Sequence, residues 1–137
     1  MKTERKRISK HSQKEIADKK GIENILETLR GEIVVVEGKR DIESFAKLGI
    51  NNVYAAVGRM ESMLKKLENS RKVVIMTDLD RKGNLLAARL EEIFWSKGIN
   101  ADLETRKKIG RILRIKYFEE IDRKYNKYIE NGGYEYG

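Results

Sequence analysis

The residues of this chain best suited to chemistry stand at the ends of two strand-like runs. Glu37-Gly38 follows Ile33-Val34-Val35-Val36, and Asp78-Leu79-Asp80 follows Val73-Val74-Ile75-Met76-Thr77. Asp78 and Asp80 are two positions apart, so in extended backbone both side chains fall on one side, as a carboxylate clamp on a cation requires. A glutamate directly after three valines is costly in a buried position unless it is paired or ligates a metal. Gly83 completes Asp78-x-Asp80-x-x-Gly83 ahead of an amphipathic stretch, where a glycine lets the backbone pass close to a bound ion or phosphate. Carboxylates converging at the carboxyl edge of parallel strands repel one another unless a cation joins them. The expected ligand is therefore a divalent cation, magnesium or in its place manganese, as one ion or two. A plainer alternative stands beside this: a D-x-D at a strand end also starts loops and caps helices, and a strand-end glutamate can simply face water.

The elements that must position these acids alternate in the manner of a parallel sheet covered by helices. Strands are expected at 33–36, 53–57, 73–77 and 101–105. Helical stripes recur at Ile42, Phe45 and Ala46, at Met60, Met63, Leu64 and Leu67, and at Leu86, Leu90, Ile93 and Phe94, with Gly98 as a stop. For Glu37 to meet Asp78 and Asp80, strands one and three must be neighbours and strand two must lie outside strand one. That order creates a switch point, where open α/β sheets bind ligands. Ile22, Ile25, Leu26 and Leu29 mark a further helix closed by Gly31, and Phe118, Ile121, Tyr125 and Tyr128 another. The expected division is a basic leader and amphipathic helix over 1–30, a core over 31–105, and a basic helix and tail over 106–137, frayed from residue 131.

Charge is segregated. Residues 1–20 carry eight Lys/Arg against three acids and residues 106–128 nine against three, whereas 21–105 is near balance, within a net charge of +8. Clustered cations favour a polyanionic partner, nucleic acid above all. The alternative is the charged surface of a heat-adapted protein, which the absence of proline weakens. The absence of cysteine excludes disulfides, thiolate zinc sites and a cysteine nucleophile. No window reaches the roughly 18 apolar residues of a membrane span, so no membrane partner and a cytoplasmic location are expected. The sequence leaves the oligomeric state open.

Taken together, the strand ending in Glu37-Gly38, the Gly58 loop after strand two and Asp78-x-Asp80-x-x-Gly83 after strand three resemble the Toprim domain. That domain is shared by type IA and type II topoisomerases, bacterial-type primases, recombination proteins, old-family nucleases and the maturase of 5S ribosomal RNA. The resemblance covers about residues 31–105 and is strongest to small stand-alone archaeal Toprim proteins and the 5S ribosomal RNA maturase-type nucleases. Leu79 departs from it, since many members place proline between the aspartates. It implies a Rossmann-like α/β fold, with a four-stranded, mainly parallel sheet, helices on both faces and flanking terminal helices. It further implies that Glu37 acts as general acid/base or shared metal ligand, while Asp78 and Asp80 hold magnesium.

Cations flank every signature: Lys39 and Arg40 after Glu37, Arg59 after Gly58, and Arg81 and Lys82 before Gly83. Arg111, Arg114 and Lys116 add to them from the basic carboxyl flank. These are the expected nucleic-acid contacts. No tyrosine has the context of a covalent nucleophile; Tyr117, Tyr125 and Tyr128 are expected to pack a helix, and His11 to be solvated. The expected function is a magnesium-dependent phosphodiesterase of nuclease type on structured RNA or DNA, with RNA favoured, in ribosomal RNA processing or DNA repair. The alternatives are a non-catalytic nucleic-acid-binding or assembly protein and a phosphotransfer enzyme using Asp78 as nucleophile.

Overall fold

A computed structural model describes residues 10–132, with side chains from residue 17 onward. The basic leader over 1–9, the His11 side chain and residues 133–137 lie outside that description. The elements run α1 (Lys10–Arg30), β1 (Val34–Val36), α2 (Lys39–Ala46), β2 (Val53–Ala55), α3 (Met60–Lys66), β3 (Lys72–Ile75), α4 (Arg81–Ser96), β4 (Asn100–Asp102), α5 (Glu104–Leu113), a short 3₁₀ turn (Phe118–Glu120) and α6 (Ile121–Glu130).

The four strands form one sheet in the order β2-β1-β3-β4, parallel at every pairing. A strand covered on both faces reads as an unbroken apolar run, and the three valines of β1 are fully buried accordingly. Their alternation splits the core in two. Val34 and Val36 face a cluster built with Leu26 and Leu29 of α1, Phe45 of α2, Ile109 and Leu113 of α5, and Ile121 and Tyr128 of α6. Val35 faces the opposite side with Met63 of α3 and Ala87, Leu90 and Phe94 of α4. Each such side chain contributes roughly 1.5–3 kcal/mol by leaving water. The terminal helices are thus part of the main core, because the stripe at Ile22, Leu26 and Leu29 has its counterpart in the side chains of β1 and β3.

The fourth strand ends earlier than its apolar residues suggest. The carboxylate of Asp102 accepts the backbone N–H groups of Glu104 (2.8 Å) and Thr105 (3.0 Å) and the Thr105 hydroxyl (2.7 Å), which turns the chain into α5. These bonds hold the Asp102 carboxyl below its usual range against the opposing effect of burial. The second strand likewise stops at Ala55, and Val57 is exposed. Where the sequence reading expects one basic helix and tail over 106–137, the structure has α5, the 3₁₀ turn and α6. The buried residues of α5 are Arg106, Ile109, Gly110, Ile112 and Leu113, and a charged residue leads them.

Candidate functional site

The order β2-β1-β3-β4 places the ends of β1 and β3 side by side, and one hydrogen bond ties them. Glu37 Oε1 accepts the backbone N–H of Asp78 at 3.1 Å. Asp78 Oδ1 in turn accepts the N–H of Phe118 at 2.9 Å, and Asp80 Oδ1 accepts the N–H of Gly83 at 2.7 Å, capping α4. The structural role that a D-x-D can have is therefore realised in Asp80. Each of the three carboxylates nevertheless commits one oxygen to a backbone donor and keeps its second oxygen without a bonded partner among the described residues.

A fourth acid, Asp41, belongs to this group. Only 6% exposed, it accepts the Gly38 N–H at 3.0 Å and so folds the Glu37-Gly38 turn onto the first turn of α2. Burial raises its pKa, with Glu37 and Glu119 adding to the rise and the Gly38 bond opposing it. Asp78 is pushed up to about 6, first by burial and then by the charges of Glu37, Asp41 and Asp80, against the Phe118 bond. An acidic edge in which two carboxyls, Asp41 and Asp78, resist ionisation is an edge that a cation would relieve.

The loop carrying the aspartates is held from below by Arg106, a residue the sequence reading counted only as part of the basic flank. Its guanidinium is 2% exposed and donates to Thr77 O (3.0 Å), Asp78 O (2.6 Å) and Asn84 Oδ1 (2.8 Å). Burial lowers its pKa, and the charges of Glu37, Asp78 and Asp80 oppose that shift. The detectable signal was a lone arginine at i+3 from Leu103 and i−3 from Ile109, on an otherwise apolar stripe. Gly83 is there for space: a Cβ would lie 1.9 Å from the Asp78 carbonyl oxygen. Gly110 gives room in the same way to Leu79, whose Cδ1 would lie 2.0 Å from a Cβ. The leucine where relatives of the motif carry proline keeps an N–H, and this N–H donates to Lys116 O at 2.7 Å.

The expected cations are spread over several settings. Lys39 and Arg59 are exposed and share the lining of an open groove of about 580 Å³ between α2, β2 and α3, which reaches Gly38. Arg81 and Lys82 are exposed on the first turn of α4, directly after Asp80, and Lys116 is exposed on the segment bonded to Leu79. Arg40 is 3.9 Å from Glu119. Arg111 stands apart, paired with Asp18 of α1 at 3.4 Å. Arg114 ends α5 in the left-handed conformation at φ 55°, a turn that sends Ile115–Phe118 across the aspartate loop. Gly58, at φ 76°, turns the loop that presents Arg59, in a conformation that favours glycine although a Cβ there would meet no neighbour.

One expectation is corrected here. Tyr125 and Tyr128 pack against the core as expected, but Tyr117 precedes its helix and is 44% exposed.

A Toprim domain model matches residues 32–116. The chain belongs to the Toprim domain family. This chain is also 36% identical over 100 residues to a UPF0292 protein of Methanosarcina acetivorans, covering 70% of this chain and 68% of that one. A UPF0292 protein of Pyrococcus abyssi is 36% identical over 100 residues, covering 70% and 74%. A solved structure of a protein from Aquifex aeolicus superposes with a TM-score of 0.64 at 27% identity, over 72% of this chain and 95% of that one. The Toprim domain supports a metal-binding, nucleic-acid-related role. Among the described residues no helix is long and apolar enough to cross a membrane.

Among the described residues no three acidic side chains are gathered into a ready-made metal cluster. Magnesium does not need one. It is commonly held through one or two carboxylates, with water and substrate phosphate completing its shell. The hard oxygen donors at this edge, each with a free oxygen, fit that chemistry.

Proposed function

We propose that this Toprim protein is a magnesium-dependent nuclease that hydrolyses phosphodiester bonds in structured RNA or, less favourably, DNA. The observation that carries the reading is the Glu37–Asp78 bond between the ends of β1 and β3, beside Asp80 and under exposed cations on three loops. Asp78 and Asp80 would hold magnesium, with Glu37 as a shared ligand or the group that moves a proton. Bound there, the ion would supply charge neutralisation at the phosphate and an activated water. The protein's own share is positional. Arg106 fixes the aspartate loop through two carbonyls, Gly83 lets α4 start against it, and Lys39, Arg59, Arg81 and Lys82 favour a phosphate backbone at this edge.

A protein that binds nucleic acid without turnover is the second reading, favoured by the exposed Lys39, Arg59, Arg81 and Lys82, which serve binding with or without cleavage. End-labelled structured RNA and duplex DNA, incubated with the full chain in magnesium or in chelator, separate the two. Cleavage in magnesium alone supports the nuclease. Binding without cleavage in magnesium or manganese supports the second reading.

A further inference from the structure

Tyr117 is an exposed aromatic on hydrogen-bonded backbone beside the acidic edge. Its neighbours on either side are bonded to the aspartate loop: Lys116 O accepts the Leu79 N–H at 2.7 Å, and the Phe118 N–H donates to Asp78 Oδ1 at 2.9 Å. Peptide geometry then places the Tyr117 Cα within roughly 5–6 Å of the Asp78 carboxylate oxygen. Ile115 and Phe118 point into the core at 5% and 0% exposure, which leaves Lys116 and Tyr117 to the solvent. The Tyr117 side chain makes no hydrogen bond or ring contact with a described residue.

Helix packing therefore does not account for this ring. Large exposed side chains of this kind are few, namely Val57, Leu85, Trp95 and Tyr117 among the described residues. Two of them flank the acids, because Val57 donates its N–H to Glu37 O at 3.0 Å on the side opposite Tyr117. An apolar ring beside Lys116 and an anion-handling edge matches the way proteins hold unpaired nucleotides, with bases stacked on aromatics and phosphates drawn by cations. Paired bases within a duplex present no free face to such a ring.

We propose that Tyr117 is the stacking platform for an unpaired nucleobase next to the phosphate at Asp78 and Asp80, so that the preferred substrate is single-stranded, bulged or looped. This rests on the proposed nuclease reading only for the identity of the phosphate; the stacking is a binding property and is tested without turnover.

The test uses full-length protein in calcium, a hard divalent cation able to seat the phosphate at the acids, with short single-stranded RNA carrying 2-aminopurine at successive positions, and the matching duplex. Wild type should quench the probe at one position and bind the single strand more tightly than the duplex. Tyr117→Ala should lose the quench and weaken single-strand binding by roughly 5–100-fold, the range carried by one base–aromatic stack, with duplex binding unchanged. Tyr117→Phe should keep both, since it retains the ring. The proposal is overturned if Tyr117→Ala binds and quenches as wild type does, if Tyr117→Phe fails as fully as alanine, or if wild type prefers the duplex. A stacking result without cleavage in any metal would remove the nuclease reading and leave this one standing. Cleavage with Tyr117→Ala indistinguishable from wild type would do the reverse.

Discussion

Asp78→Asn should stabilise the metal-free protein at neutral pH. The wild-type carboxyl is raised to about 6 in the fold, from 3.8, chiefly by burial and then by Glu37, Asp41 and Asp80. A raised carboxyl binds its proton more tightly in the native state than in the unfolded one. Between about pH 4 and pH 6 the native state therefore carries more protons, stability falls as pH rises through that window, and above it the penalty is constant. A gap of about two pKa steps corresponds to roughly 3 kcal/mol at 1.36 kcal/mol each, and solvent screening of this part-exposed group reduces it to roughly 1–2 kcal/mol. Asparagine keeps the Oδ1 acceptor for the Phe118 N–H and cannot ionise. Urea unfolding in chelator at pH 7.5 should show the variant more stable by about 1–2 kcal/mol at unchanged m-value, or about 3–8 °C in Tm, with the gain gone at pH 4. Magnesium should then raise the Tm of wild type and do less for the variant. A variant no more stable than wild type at pH 7.5, or equally stabilised at both pH values, would refute the electrostatic account of this edge.

Three further outcomes follow from the same geometry. Gly83→Ala drives a Cβ to 1.9 Å from the Asp78 carbonyl oxygen, so it should cost more than about 3 kcal/mol by urea titration or prevent folding, whereas Gly58→Asn, at a φ that asparagine tolerates, should be mild. Arg106→Met leaves Thr77 O, Asp78 O and Asn84 Oδ1 without their donor; a loss of roughly 2–4 kcal/mol is expected by the same titration, and Arg106→Lys should recover only part of it, because a lysine lacks the fork. Lys39→Glu with Arg59→Glu should weaken nucleic-acid binding and flatten its salt dependence, by roughly 0.7–0.9 log units per lost phosphate contact, while Arg111→Glu should change the slope little because Arg111 is paired with Asp18.

The adjacency of β1 and β3, with β2 outside β1, was legible from the need to bring Glu37 near Asp78 and Asp80, whereas nothing in the sequence reading placed β4. The terminal helix α1 was legible from Ile22, Leu26 and Leu29, although its membership of the main core was not, since one stripe does not say which surface it meets. Helix α5 was not separated from the basic helix expected over 106–137 because Arg106 and Gly110 break its apolar pattern. One carries a buried guanidinium and the other makes room for Leu79, requirements set by the aspartate loop rather than by α5 itself. Asp41 drew no notice in the sequence, because an acid in the first turn of a helix is ordinary, and its burial follows only from the Gly38 turn folding back onto it. Tyr117 read as one member of a helical stripe because Phe118, Ile121 and Tyr125 continue it, whereas the chain is still extended at that residue.

The central claim, that the edge at Glu37, Asp78 and Asp80 performs phosphodiester hydrolysis, is tested most directly by the single-turnover cleavage rate of Glu37→Gln with saturating structured RNA in magnesium. Glutamine keeps the size of the side chain and an oxygen to accept the Asp78 N–H, so fold and substrate affinity should be retained. Loss of the proton-moving group or ligand should then lower the rate by roughly 10²–10⁴-fold. Cleavage by Glu37→Gln at the wild-type rate, with equal substrate affinity, would contradict the account.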